Sequence, residues 1–174
     1  AKVAEYLQAS NCLFVDIEEG QGLAVISYSW SKGEEIPDLR GRYVLSEFVD
    51  ASILARTRSG QAVAIADTQK DPHLNAEHYA GLGIRSFATV PFLQEGKWKY
   101  LFTVNHVDGR QWLEEELDLM RRVTSLICLR IERARTEEKL KSSEAKLKML
   151  FQDAPAIIAL HEGPEHRFIF SNRL

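Results

Sequence analysis

The sequence predicts an α+β fold: a central antiparallel β-sheet flanked by helices, with a long C-terminal helix. Three observations carry this. Two pairs of apolar runs of strand length each flank a Gly-bearing turn: "CLFVDI" and "LAVISYSW" around "EEGQG", then "SFATVPFL" and "KWKYLFTVNH" around "QEG". Between the pairs, the chain reads as two short helices and a short strand. From Trp112 the pattern becomes helical and stays so to about Asp153.

Taken in order, residues 2–9 read as the end of an amphipathic helix with Val3, Tyr6 and Leu7 inward. The first hairpin follows, and then a polar connection, "SKGEEIPDLRGRY". "VDASILARTRSG" reads as a helix stopped by Gly60, and "AVAIAD" as a strand. "DPHLNAEHYAGLG" is a turn leading into a short helix closed by glycine. In the second hairpin, Trp98, Tyr100, Phe102, Val104 and His106 alternate with Lys99, Leu101, Thr103 and Asn105. Both sets contain apolar groups, so this strand is expected to be covered on both faces.

The last helix sets apolar residues at 113, 117, 120, 127, 131 and 134, with Glu114, Glu115 and Glu116 in its first turn, where the helix dipole favours acids. A helix of roughly 40 residues is about 60 Å long, far beyond the 11–12 residues of an average one, so its second half is expected to leave its own domain. That half is charged, with Leu140, Leu147 and Leu150 as a thin a/d seam weakened by Ser143. It is either a dimeric coiled coil or a solvated helix held by Glu–Lys pairs four apart. Pro155 then ends the helix, and "AIIALHE" and "HRFIF" flank "GPE". Two strands alone are not stable in water, so residues 154–174, with Ile157, Ile158, Leu160, Phe168 and Phe170, read as the start of a further domain.

Composition excludes several classes. A formal net charge of −3 gives no basic face for nucleic acid. No run of about 18 apolar residues is present to span a membrane, and "AKVAEYLQAS" lacks a signal-peptide core. Cys12 and Cys128 both sit in apolar patterns and read as free buried thiols, pointing to a reducing, cytoplasmic compartment. The five histidines, His73, His78, His106, His161 and His166, form no metal or catalytic motif. No enzyme activity is expected of this chain.

The stretch "YAGLGIRSFATVPFLQEGKWKYLFTVNH", followed by "RQWLEEELDLMRRVTSLICLRIERAR", resembles the GAF domain. The matching features are a Gly-Ile turn, a Ser-x-x-x-Val-Pro strand, a Gly-bearing hairpin, a strand ending in His and a Trp-Glu-Glu helix start. The resemblance covers about residues 1–135. Residues 136–153 resemble a signalling helix, and "LFQDAPAIIALHEGPEHRFIFSN" resembles the entry to a PAS domain. This order implies a cytoplasmic sensory module of a bacterial sensor histidine kinase, with the kinase module further downstream and a homodimer formed through the helix. Leu113 departs from the family pattern, which often has Ser or Thr there as the helix cap. Gln111, the Asp108 turn or water is then expected to take up the free amides.

Some GAF domains hold a bilin on a cysteine nine residues before the glycine of the Gly-Ile turn. Here that place is Leu74, so the resemblance implies no covalent bilin. A pocket for a small apolar or planar ligand is expected on the sheet, lined by Tyr28, Trp30, Phe87, Thr89, Phe102, Val104 and His106, with His73, His78 and Arg85 near its mouth. The aromatics serve equally as core filling. Two other classes stay open: a ligand-free dimerisation domain, and a small-molecule enzyme such as the GAF-like methionine sulfoxide reductases, which needs an accessible cysteine pair.

Overall fold

The computed structural model describes residues 2–153, 159–165 and 167–171. The chain divides into two compact units, residues 1–128 and 129–174. In the first, α1 (Lys2–Tyr6) leads into β1 (Asn11–Glu18) and β2 (Leu23–Ser31). Then come β3 (Gly41–Val44), α2 (Ala51–Arg58), β4 (Val63–Ile65), α3 (Ala76–Gly81), β5 (Ser86–Gln94) and β6 (Lys97–His106). The helix α4 (Glu114–Gln152) begins in this unit, and its later part belongs to the second. The six strands form one antiparallel sheet in the order β3-β2-β1-β6-β5-β4.

Two cores follow from the alternation of the central strands. Leu13, Val15 and Ile17 of β1 and Leu101 of β6 face α2 and α3, where Ile53, Val63 and Ile84 join them. Phe102 and Val104 of β6, with Ala88 and Val90 of β5, face the other way and pack with Leu7, Leu117 and Met120. Glu95 and Gly96, at φ +52° and +74°, make the tight two-residue turn between β5 and β6. A bulge between Phe92 and Leu93 sets Phe92 opposite Tyr100 but Leu93 opposite Trp98. The bulge turns Trp98 into the core of Leu101, not to the side of Tyr100 as simple alternation predicts.

Other expectations also change. Residues 41–44, which overlap the end of the predicted polar connection, form the edge strand β3. It is short, its partner lies on one side only, and Tyr43 anchors it by donating to the Leu39 carbonyl at 3.0 Å. Tyr6 is 72% exposed, and Leu113 is 61% exposed. The buried stripe of α4 is instead Leu117, Met120, Thr124 and Cys128. Asp50 caps α2, accepting from the Ser52 and Ile53 amides at 2.9 and 3.1 Å. In the second unit, β7 (Ala159–Glu162) and β8 (Arg167–Ser171) form an antiparallel hairpin. Pro155, Ile157, Ile158 and His166 lie outside the described residues, as do the side chains of Leu160, His161, Phe168 and Phe170.

The start of α4 is capped by Glu116. Its carboxylate accepts from the Leu113 amide at 2.9 Å, the returning half of a capping box in which Leu113 replaces the usual hydroxyl residue. The other Glu116 oxygen pairs with Arg110. Arg110 also donates to the Leu7 carbonyl at 2.9 Å, lies over the Trp112 ring at 4.5 Å and reaches His106 Nε2 at 2.9 Å. One guanidinium thus ties the ends of α1 and β6 to the start of α4. His106 Nε2 also lies 3.2 Å from the Leu7 carbonyl, so the imidazole meets both the guanidinium and that carbonyl at one nitrogen. Burial, and then the Arg110 charge, hold the His106 pKa below its ordinary value, while the Leu7 carbonyl and the Glu116 and Asp108 charges oppose them.

Two outcomes follow for stability. Met120→Ala, at a fully buried site, should cost about 2–5 kcal/mol, whereas Leu113→Ala should stay within about 0.5 kcal/mol. Denaturant melts of both variants check this, and equal losses would show that α4 is seated differently. For His106, the unfolded chain takes up the proton first as pH falls. Its contribution is full above the ordinary imidazole value of about 6.5 and is lost as pH falls through that value toward the lower folded one. The gap in melting temperature between the native chain and His106→Asn should therefore change between about pH 7.5 and 5, with the native chain losing more. Parallel curves would mean that the ring does not titrate against Arg110.

Candidate functional site

The face of the sheet under α2 and α3 encloses an apolar cavity of about 130 Å³. Its floor is laid by Leu13 and Val15, by Phe87 and Thr89, and by Leu101, Thr103 and Asn105. The roof is Tyr43, Phe48, Ile53 and Tyr79, with Ile84. These segments sit where they do because of the helix caps. The Asp50 carboxylate holds α2 and also binds His73 Nδ1 at 2.7 Å, and the Asp50 amide donates to the His73 carbonyl at 2.9 Å. Asn75 caps α3, and Gly83 at φ +67° ends it, so that Ile84 enters the core.

Aromatic rings run along the wall. Tyr79 stacks on Phe87 with centroids 5.2 Å apart and planes 16° apart. Phe48 meets Tyr79 edge-on at 5.6 Å, and Tyr43 meets Phe48 at 5.7 Å. Burial raises the Tyr79 phenol well above its ordinary pKa, so it stays neutral. The polar groups of the floor are Thr89 and Thr103, whose hydroxyls lie 2.8 Å apart, and Asn105, which donates to Asn11 at 2.6 Å. No charged side chain lines the cavity.

Of the ten residues expected to line one pocket, only Phe87 and Thr89 line this cavity. Phe102, Val104 and His106 lie on the opposite face because the β5–β6 register sets them against Val90, Ala88 and Ser86, not against Phe87 and Thr89. Trp30 packs with Phe102 in that second core, and Tyr28 is 74% exposed beside it, in a shallow groove with Val123 and Ile127. His78 is exposed, bonding the Glu47 carbonyl at 2.8 Å, and His73 belongs to the α2 cap. Arg85 pairs with Asp67 at 2.7 Å, which lowers the Asp67 pKa to about 2. Tyr43, Phe48, Tyr79, Trp98, Leu101, Thr103 and Asn105 were missed. Pairing Thr89 directly across from Thr103 would have found the last three, but that needs the bulge, for which the sequence has no marker.

The arrangement suits binding more than chemistry. No cluster of His, Cys, Asp or Glu able to hold a metal occurs among the described residues. Cys128 is buried, and burial pushes the Cys12 thiol up to about 12, so neither is a ready nucleophile. Leu74, in the place of a bilin-anchoring thiol, packs against the first core and bridges to Val49. The cavity is smaller than the ~300–1,000 Å³ of drug-sized ligand pockets, and the Tyr79–Phe87 stack occupies its wall. These residues do not fit a four-ring bilin. No helix of the described residues is long and apolar enough to cross a membrane.

No curated protein matches the sequence significantly. Many solved structures match the fold. The phycoerythrobilin-bound GAF domain of a cyanobacterial phytochrome superposes with a TM-score of 0.68 at 15% identity, over 79% of this chain and 83% of that one. The blue-light-absorbing form of the PixJ GAF domain of Thermosynechococcus elongatus gives 0.67 at 19% identity, over 82% and 85%. A far-red cyanobacteriochrome photoreceptor gives 0.63 at 16%, over 76% and 81%. At these identities the likeness shows the fold. The sequence profile of the GAF domain matches residues 1–131, and with the six-stranded sheet and the terminal helix in place, the chain belongs to the GAF domain family.

Proposed function

We propose that this chain is the cytoplasmic sensory module of a two-component sensor histidine kinase. In this reading it couples a small-molecule signal to downstream PAS and kinase modules through a dimeric helix, and has no catalytic activity of its own. The observation that supports this most is that α4 gives Leu117, Met120 and Cys128 to the core and then continues to Gln152 with Leu140, Leu147 and Leu150 exposed. A helix that long has no need to leave its domain unless something is built on it. Strand β6 connects the cavity to the core of α4: Leu101 and Thr103 line the cavity, while Phe102 and Val104 share a core with Leu117 and Met120.

The spacing of the exposed leucines extends the predicted seam. Leu126, Leu140 and Leu147 fall on one heptad position, with Arg133 between them. Leu129 and Leu150 fall on the other, with Thr136 and Ser143 between them. In a parallel pair of such helices, Lys139 of one copy faces Glu144 of the other, an attractive contact. Burying a leucine fully gains about 1.5–3 kcal/mol, and the polar layers keep the seam weak. A weak seam can hold two packings that differ by a few kcal/mol, which a ligand can shift. The reading of a ligand-free dimerisation domain draws on the small size of the cavity.

The mechanism depends on helical phase. In the intact kinase, one residue inserted after Lys141 rotates everything downstream by about 100° and should lock or abolish autophosphorylation. Seven inserted residues nearly restore the face and should restore regulation. If both insertions behave alike, α4 is a passive tether. For the pigment, bilin supplied during expression should give no zinc-fluorescent band at the mass of this chain after denaturing electrophoresis. A fluorescent band would place a covalent anchor elsewhere than position 74.

A further inference from the structure

The Thr89–Thr103 pair is chemically unfinished. Two hydroxyls hold two hydrogens, and the 2.8 Å contact between them uses one. Neither hydroxyl has another hydrogen-bond partner among the described residues. Thr103 sits mid-strand in β6, which is bonded to β1 on one side and β5 on the other, yet its side chain is only half-buried. With both edges of the strand taken, that exposure opens into the cavity, which Thr103 lines.

The rest of the cavity limits what can meet this pair. Its volume of about 130 Å³ is close to that of an engineered cavity of ~150 Å³ that binds benzene. The Tyr79–Phe87 stack and the edge of Phe48 offer the faces and edges that aromatic rings prefer as neighbours. A charged ligand would enter with no counter-ion, because no cation or carboxylate lines the site. We infer that the cavity takes a neutral molecule of about one aromatic ring carrying a single hydrogen-bond acceptor, which receives the unspent proton of the Thr89–Thr103 pair. This rests on the reading of the cavity as the sensing site, and it names the ligand class.

The test compares phenol, benzene and benzoate binding to the 174-residue chain by calorimetry or ligand-observed NMR. Phenol and benzene should bind, and benzoate should not. The phenol-to-benzene affinity ratio is then measured in Thr89→Val/Thr103→Val. This variant removes both partners of the hydrogen bond and should fold nearly as well as the native chain. The ratio should fall about five- to tenfold, the weight of one hydrogen bond. Thr89→Ser/Thr103→Ser keeps both hydroxyls and should keep the ratio, which preserves the comparison if the valine variant misfolds. Benzoate binding as tightly as phenol, an unchanged ratio in the valine variant, or a lost ratio in the serine variant would overturn the ligand class. Failure of both phenol and benzene to bind would overturn it too and favour the ligand-free domain. None of these results bears on the helix, whose role is decided separately by the phase of the insertions.

Discussion

Coverage of β6 on both faces is the constraint on which the rest depends. The strand lies between β1 and β5, so its edges are closed, and both of its faces carry a core. Each residue along it is committed to one side: Leu101, Thr103 and Asn105 to the cavity, Phe102 and Val104 to the helices α1 and α4. A shift of one residue would exchange the two sets and bury the threonines and the asparagine among Leu117 and Met120 with no partners. The bulge at Phe92/Leu93 guards against this. An unbulged two-residue turn would carry the pairing back from Gln94 and Lys97 to set Thr89 against Phe102, whereas the bulged strand sets it against Thr103. The hydroxyl pair and the bulge therefore support the same register.

The same arrangement ties the start of α4 to the sheet and not merely to its own sequence. Its buried stripe is narrow, and its first turn is held by Glu116, which has Arg110 as its second partner. Arg110 in turn reaches Leu7 and His106, so the end of α1, the end of β6 and the start of α4 share one charged group. Moving any of the three strains the other two.

The element order was legible because hydrophobic periodicity and turn glycines mark it directly: both hairpins, α2, the short helix ending at Gly83 and the long helix are all visible in the pattern. The edge strand β3 was not, since four residues give too short a pattern to distinguish from a loop. The candidate site was read poorly, with only Phe87 and Thr89 placed in the cavity that they line. Face assignment needs register, register here needs the bulge, and no residue type announces a bulge. The capping of α4 failed for a related reason. Glu116 was visible as an acid in the first turn, but its return to the Leu113 amide became evident only with the helix start fixed.

The two cores differ in what holds them. In the core on the α4 side, Met120, Val104 and Ala88 are fully buried, small residues let α1 approach, and a groove lined by Tyr28, Phe102 and Val123 opens beside them. The core under α2 and α3 retains a cavity, and part of its roof is held by exposed polar contacts, namely the Asp50–His73 pair and the Asn75 cap. Exposed ion pairs stabilise little, and segments with few buried contacts open at low cost. The cavity thus lies on the face of the sheet opposite to the one that packs with Leu117 and Met120. β6 belongs to both. Its residues alternate between them, Leu101 and Thr103 to the cavity and Phe102 and Val104 to the core of Leu117 and Met120.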